Sequence, residues 1–299
     1  MGVSTASIVV PAHNEAHVVG RLLSQLVPAG HSTELDIVVV ANGCTDGTET
    51  VASAFAPAVR VLTIPEASKR AALVAGNSAA YGFPRIYVDA DVELRLDDVR
   101  ALVSALERPG VLGATTELGH DFAGCGWPVR WYYDVWTRLP EVRRGLFGRG
   151  VVALSETAYE RVSRLPPLLA DDLAASLALS RDERAVAAGA KVVVHPPRGL
   201  RDLLRIRVRA AVGVAQVEQT AGAPESSAGT RPRDLLRMVV AEPSLAPRVA
   251  LFLAVAVVAR RRAARAVRRG DYATWLRDES TRRSPEPGLV ATTAAGKRP

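Results

Sequence analysis

The segment Arg85-Ile-Tyr-Val-Asp89-Ala-Asp91 is an apolar stretch ending in two carboxylates one residue apart. In open α/β sheets, ligands sit beyond the carboxyl ends of the strands, so acidic groups placed there project into a crevice. Two hard oxygen donors suit Mg or Mn bridging a diphosphate, because such a metal takes few carboxylates and completes its shell with phosphate and water. The plain alternative is a solvated Asp pair in a turn, since a short motif by itself carries little information.

Two further polar segments follow β-branched runs in the same way. One is Val10-Pro11-Ala12-His13-Asn14-Glu15, and the other is Ala41-Asn42-Gly43-Cys44-Thr45-Asp46-Gly47-Thr48. The amide of Asn42 offers both a donor and an acceptor, which suits a nucleobase edge or a ribose. Glu15 and Asp46 either face a ligand or cap the helices that follow, and for Asp46 the capping or turn role is preferred.

These loops need a scaffold that brings strand ends together. The runs Ser7 to Val10, Asp36 to Ala41, Val59 to Ile64 and Arg85 to Val88 alternate with amphipathic stretches, the pattern of βαβ units around a mostly parallel sheet flanked by helices. His17 to Leu26 puts Val18, Leu22, Leu23 and Leu26 on one helical face, and Ser68 stands ready to cap a helix running to Ala80. Residues 116–218 are less regular. They hold the aromatic cluster Trp127, Trp131, Tyr132, Tyr133 and Trp136, expected to serve a helix-packed core more than sugar stacking, and the Gly-rich turn Gly145 to Gly150.

The succession Val9-Val-Pro-Ala-His-Asn-Glu15, Asn42-Gly-Cys-Thr-Asp-Gly-Thr48, Lys69 and Asp89-Ala-Asp91 resembles the nucleotide-sugar-binding half of glycosyltransferase family 2. With Asp171-Asp172 and the Arg-rich segment Arg205 to Arg209, the resemblance covers about two-thirds of the chain. It implies a GT-A-like, Rossmann-like α/β fold and an inverting transfer of a sugar from a nucleoside diphosphate sugar to an acceptor hydroxyl, the acceptor being a sugar, a lipid-linked group or a small molecule. By that resemblance Pro11, Ala12, His13 and Glu15 line the base and ribose pocket, with Asn42 where the family more often has an aspartate. Lys69 matches a family position near the nucleotide, although a surface lysine at a helix start reads the same way.

The resemblance further implies that Asp89 faces the ribose or diphosphate and shares a divalent metal, Mg or Mn, with Asp91. Charge stabilised where it develops on the departing diphosphate would then be the main catalytic contribution. Within Leu169-Ala-Asp171-Asp172-Leu173, the family pattern assigns the base to Asp172 and a supporting role to Asp171, where Glu is usual. Two adjacent carboxylates repel each other, which suits one of them to proton uptake; both could instead favour a helix dipole. Arg205 and Arg209 match a basic segment that closes over the diphosphate, though spacing leaves open whether 205, 207 and 209 share one side of a strand or spread around a helix. His195, at a strand end, is read as structural ahead of a metal or phosphate contact.

Charge narrows the partners. Residues 231–299 hold 15 Arg or Lys against 6 Asp or Glu, a net +9, so the rest of the +7 chain sums to −2. A main domain without cationic excess is not expected to bind nucleic acid. The first five residues lack the features of a signal peptide, and Cys44 and Cys125 have the look of free thiols in a reducing compartment, so a cytoplasmic location is expected. Neither cysteine has the partners of a nucleophile.

The organisation expected is a catalytic domain over 1–218, with a nucleotide-sugar half at 1–115 and an acceptor half at 116–218. A mobile linker at 219–233, a basic helical extension at 234–283 and a disordered tail at 284–299 follow. The longest uninterrupted apolar run, Val249 to Ala259, falls short of the roughly 20 residues of a bilayer-spanning helix. With the arginines that follow it, Val249 to Arg269 reads as a helix in peripheral contact with an anionic membrane or as one packed on the core. Rival readings are an aspartate-dependent phosphatase built on Asp89-Ala-Asp91-Val92, and a non-catalytic sugar-nucleotide-binding or membrane scaffold module. The phosphatase motif normally follows a chain's first strand, and here at least three precede it.

Overall fold

The computed structural model describes residues 6–28, 35–164, 176, 178–221 and 230–269. The acidic pair Asp171-Asp172, the middle of the expected linker and the expected tail lie outside these residues.

Seven strands form one sheet in the order β3-β2-β1-β4-β6-β5-β7. They are β1 (Ala6–Ala12), β2 (Leu35–Asn42), β3 (Val59–Ile64), β4 (Arg85–Val88), β5 (Gly113–His120), β6 (Val151–Leu154) and β7 (Arg184–Val194). β1 pairs in parallel with both β2 and β4, and β2 with β3. β6 runs antiparallel between β4 and β5, so it alone opposes the common direction. The four strands expected from β-branched runs are β1 to β4.

The alternation along β2 shows why the sheet is covered on both faces. Ile37 and Val39 enter the large core beneath α1 (Val19–Leu26), whereas Val38 and Val40 meet Ala72 of α3 (Lys69–Ala79) on the opposite side. A strand buried on both faces must be apolar throughout, as the run from Ile37 to Val40 is. α1 presents Val19, Leu22, Leu23 and Leu26 at helical spacing, and Ser68 caps α3 by accepting a hydrogen bond from the amide of Ala71 at 3.2 Å. α3 lies close to β1 because Gly76 has no side chain there: a Cβ would stand 2.4 Å from Val9 Cγ1.

The helices α2 (Thr48–Ser53), α4 (Leu96–Leu106), α5 (Trp127–Trp136), α6 (Pro140–Arg144) and α7 (Glu156–Ser163) complete the body around the sheet. Three more follow β7: α8 (Leu200–Ala221), α9 (Pro232–Ala241) and α10 (Ala246–Arg268). They are not a detached appendage. Leu203 of α8, Leu235 of α9, and Val249, Phe252 and Val255 of α10 share one apolar cluster with Tyr132, Tyr133 and Trp136 of α5. Pairs of opposite charge seal that seam, with Arg138 bonded to Glu242 at 2.9 Å and Arg248 bonded to Asp134.

Two local expectations are revised. Of the expected linker 219–233, the first three residues continue α8 and the last two begin α9. Pro243–Arg268 is long and apolar enough to cross a bilayer, which counting one unbroken run missed because the single charge of Arg248 interrupts the stretch 243–259.

Candidate active site

The strand order reverses at β1 and β4: β2 and β3 lie on one side of β1, and the chain returns to its other side for β4. Such a switch point separates the loops at the carboxyl ends of the two central strands and opens a crevice between them. His13, Asn14 and Glu15 follow β1, and Asp89 and Asp91 follow β4.

Side chains tie the first two loops together. Thr45 donates its amide to Asn14 Oδ1 at 2.7 Å, and the amide of Glu15 donates to Thr48 Oγ1 at 2.8 Å. Asp46 accepts from the amides of Ala16 at 3.1 Å and Thr48 at 3.0 Å, and from the Thr48 hydroxyl. Partial burial works against its charge, but these hydrogen bonds outweigh it and hold the carboxyl below its ordinary range. Asp46 thus caps the start of α2, the role preferred from sequence. Asn14 sits at a φ of 51°, a left-handed conformation that asparagine tolerates better than most residues.

Asn42 is buried at the end of β2 and donates Nδ2 to the Ala12 carbonyl at 2.8 Å. Its Oδ1 has no hydrogen-bond partner among the described residues, a costly condition for a buried acceptor and one that ligand sites tend to carry. His13 Nδ1 lies 2.6 Å from the Asn42 carbonyl, so the ring donates there and links the same two strand ends. The Ala12 side chain belongs to the core, leaving its backbone as the part that faces the loops, and Pro11 is half-buried beside it.

At the next strand, Lys69 Nζ donates to Asp89 Oδ1 at 2.7 Å, with both side chains partly open to water. Asp89, Asp91 and Glu93 are half-exposed and alternate with the buried Ala90, Val92 and Leu94, so three carboxylates stand out of the core in sequence. The amide of Asp89 donates to the Gly150 carbonyl at 2.8 Å, and Gly150 itself sits against the Asp89 side chain at a φ of 68°. Gly145 to Gly150 therefore forms the backbone turn expected from sequence and supports Asp89 directly.

Sequence reasoning passed over the neighbours of this acidic loop. Glu93 Oε1 lies 2.8 Å from His195 Nε2 and 3.6 Å from Arg21 Nη1, while Arg21 Nη2 donates to the Asp91 carbonyl at 3.1 Å. His195 Nδ1 is 3.6 Å from Asp121. The strict alternation of 89, 91 and 93 was the available signal for Glu93; nothing local pointed to Arg21 or Asp121. His195 is held among carboxylates at the end of β7, consistent with the structural role preferred for it.

The Arg-rich segment is helical. Arg205 and Arg209 lie one turn apart in α8, Arg205 bonding Asp202 at 3.0 Å, and Arg207 stands over the rings of Trp136 and Tyr132 at 5.4 and 5.8 Å. The aromatic residues of α5 mostly serve burial, with Tyr132, Tyr133 and Trp136 inside and Trp127 exposed.

Asp89 and Asp91 suit a divalent cation that keeps most of its shell from a phosphate ligand and water. Their oxygens are hard donors, two in number, and accessible at the rim of the crevice. A fully protein-ligated centre does not fit, since no group of three or more ligating side chains is placed to hold a metal among the described residues.

Residues 7–150, which contain this constellation, match the family model described as glycosyl transferase family 2. Over that stretch the chain is similar to family 2 glycosyltransferases, which supports a sugar-transferring enzyme. No curated protein matches the glycosyltransferase by sequence. Its fold is that of solved GT-A enzymes. A mannosyltransferase from Pyrobaculum calidifontis, solved with GDP-Man and Mn2+, aligns over 91% of this chain and 82% of its own, with 22% identity and a TM-score of 0.56. Glucosyl-3-phosphoglycerate synthase from Mycobacterium tuberculosis, solved with Mn2+, UDP-glucose and phosphoglyceric acid, aligns over 76% and 82%, with 21% identity and a TM-score of 0.51.

Proposed function

We propose that this glycosyltransferase moves a sugar from a nucleoside diphosphate sugar to an acceptor hydroxyl with inversion at the anomeric carbon, in the cytoplasm and with the help of Mg or Mn. The observation that carries the reading is the convergence, at the switch point of the sheet, of Asn42 and His13 with the Lys69–Asp89 pair and Asp91. The two similar enzymes support it: one was solved with GDP-Man and Mn2+, the other with UDP-glucose and Mn2+.

In this reading the base and ribose lie over Pro11, Ala12, His13 and Glu15, where the unpaired Oδ1 of Asn42 supplies an acceptor. Asp89 and Asp91 hold the cation, which when bound offsets the charge of the diphosphate. Lys69 is already placed at Asp89 and adds a second positive charge on the same side. Arg205 and Arg209 add guanidinium contacts to phosphate oxygens. The acceptor oxygen attacks the anomeric carbon as the carbon–oxygen bond to the diphosphate breaks, the bonding pair leaving with the phosphate. Asp172, supported by Asp171, takes the hydroxyl proton; both roles rest on the family resemblance.

Donor binding and hydrolysis across a panel of GDP- and UDP-sugars, with and without Mn or Mg, test the reading. Metal-dependent binding should be lost in Asp91→Ala, and turnover without binding in Asp172→Asn. A chain that binds no donor under any metal condition, or that hydrolyses simple phosphomonoesters instead, would sink it.

A further inference from the structure

We propose that the outer face of α10, with that of α9 beside it in the chain, docks on an anionic lipid surface and lies in its plane. The inner face of α10 is fully used: Val249, Phe252, Val255, Ala259 and Ala263 are buried, and Phe252 stacks on Tyr132 with ring centroids 4.9 Å apart. The outer face divides along its length. Ala246, Ala250, Leu253, Ala254, Val257 and Val258 are exposed over the first turns, with Leu253 45% and Val257 43% open to water. Arg260, Arg261, Arg262, Arg265, Arg268 and Arg269 follow, all exposed and none in an ion pair among the described residues. α9 repeats the combination, exposing Leu236 at 65% and Val240 at 74% beside Arg233 and Arg237.

Charge selects the occupant. The carboxylates at the inner seam are occupied, Glu242 by Arg138 and Asp134 by Arg248, which leaves an outer surface that is apolar and cationic without acidic groups of its own on α10. Aliphatic side chains seat among acyl chains while arginine stems let the guanidinium groups reach lipid phosphates. The same helix is long enough to cross a bilayer, yet spanning would strip Phe252 and its buried neighbours from α5 and break both seam ion pairs. Lying on the surface keeps every one of those contacts.

The test is co-sedimentation of the purified full chain with vesicles of phosphatidylcholine alone or with about one-third phosphatidylglycerol. Binding to the anionic vesicles only, released by raising NaCl, is expected. Replacing Arg260, Arg261 and Arg262 by Gln should weaken partitioning on the order of 100-fold, at about fivefold per cation, and Leu253→Glu with Val257→Glu should weaken it at least tenfold. Donor hydrolysis and circular dichroism should match wild type in both variants, which separates failure of docking from failure of the catalytic reading. Should a variant misfold, the salt and lipid dependence of the wild type decides alone. Equal binding to neutral vesicles, or no binding, overturns the proposal. So does resistance to alkaline carbonate extraction, which would mean a spanning helix, or a dimer broken by the Glu substitutions, which would mean a second copy covers the face.

Discussion

Lys69 Nζ stands 2.7 Å from Asp89 Oδ1, joining the first residue of α3 to the end of β4. With both side chains about a third exposed, the pair contributes no more than about 1 kcal/mol to stability. Its worth is positional: it sets a cation beside Asp89, the first of the two carboxylates proposed to hold a divalent metal. Lys69→Ala should therefore lower affinity for a nucleoside diphosphate about 10- to 100-fold by calorimetry. The melting temperature should move by no more than a few degrees. Unchanged affinity would make Lys69 an ordinary surface residue.

Gly150 offers a cleaner view of how Asp89 is held. An alanine there would be strained at a φ of 68°, and its Cβ would stand 2.7 Å from Val92 Cγ1 and 3.2 Å from Asp89 Oδ2. Gly110 has a φ of 81° with open space around it, so Gly110→Ala isolates the backbone cost, about 1 kcal/mol. Gly150→Ala should lose about 1–3 kcal/mol more in denaturant unfolding and should also depress turnover, whereas Gly110→Ala should leave turnover alone.

Gly76→Ala runs against helix propensity. Alanine would normally stabilise a mid-helix position by up to about 1 kcal/mol, but here its Cβ meets Val9 Cγ1 at 2.4 Å. A net loss of about 1–3 kcal/mol is expected, partly recovered in the Gly76→Ala, Val9→Ala double variant. Additive losses in that cycle would show that the contact is not the cause.

His120, at the end of β5, is enclosed by Phe122, Tyr133 and Trp136, and burial lowers its pKa from 6.5 to about 4. The unfolded chain then binds a proton that the folded chain refuses, so stability contributed above pH 6.5 is lost as pH falls toward 4. The loss should be on the order of 2 kcal/mol, and His120→Phe should flatten that limb of a melting-temperature profile between pH 4 and 7. An unaltered slope in the variant would assign the acid sensitivity to other groups.

The first four strands and the loops after them were legible in the sequence because doubly buried strands leave unbroken apolar runs and switch-point loops leave polar ones. Asp89 and Asp91 could be read from one segment; the grip of Gly150 on Asp89 could not, since 61 positions separate them in the chain. The same holds for Glu93, His195 and Arg21, which meet only when β7 and α1 are in place. Periodicity over Arg205 to Arg209 fitted a strand or a helix equally; α8 exists because a much longer amphipathic stretch, packed on α5 and α10, decides for the whole segment. The C-terminal helices were visible as elements, but which of their faces meets the domain depends on partners distant in sequence.

The stacking of Phe252 on Tyr132 bears on where this enzyme can be cut. A chain shortened to residues 1–218, the expected catalytic domain, would keep every residue proposed for the nucleotide-sugar site yet leave Tyr132, Tyr133, Trp136 and Leu203 without the residues of α9 and α10 that cover them. Bare aromatic surface of that kind drives self-association, so the truncated protein should be recovered mainly as aggregate. The boundary that divides the chain by chemistry does not divide it by solubility, and the smallest useful form of this enzyme extends at least through Ala263, the last buried residue of α10.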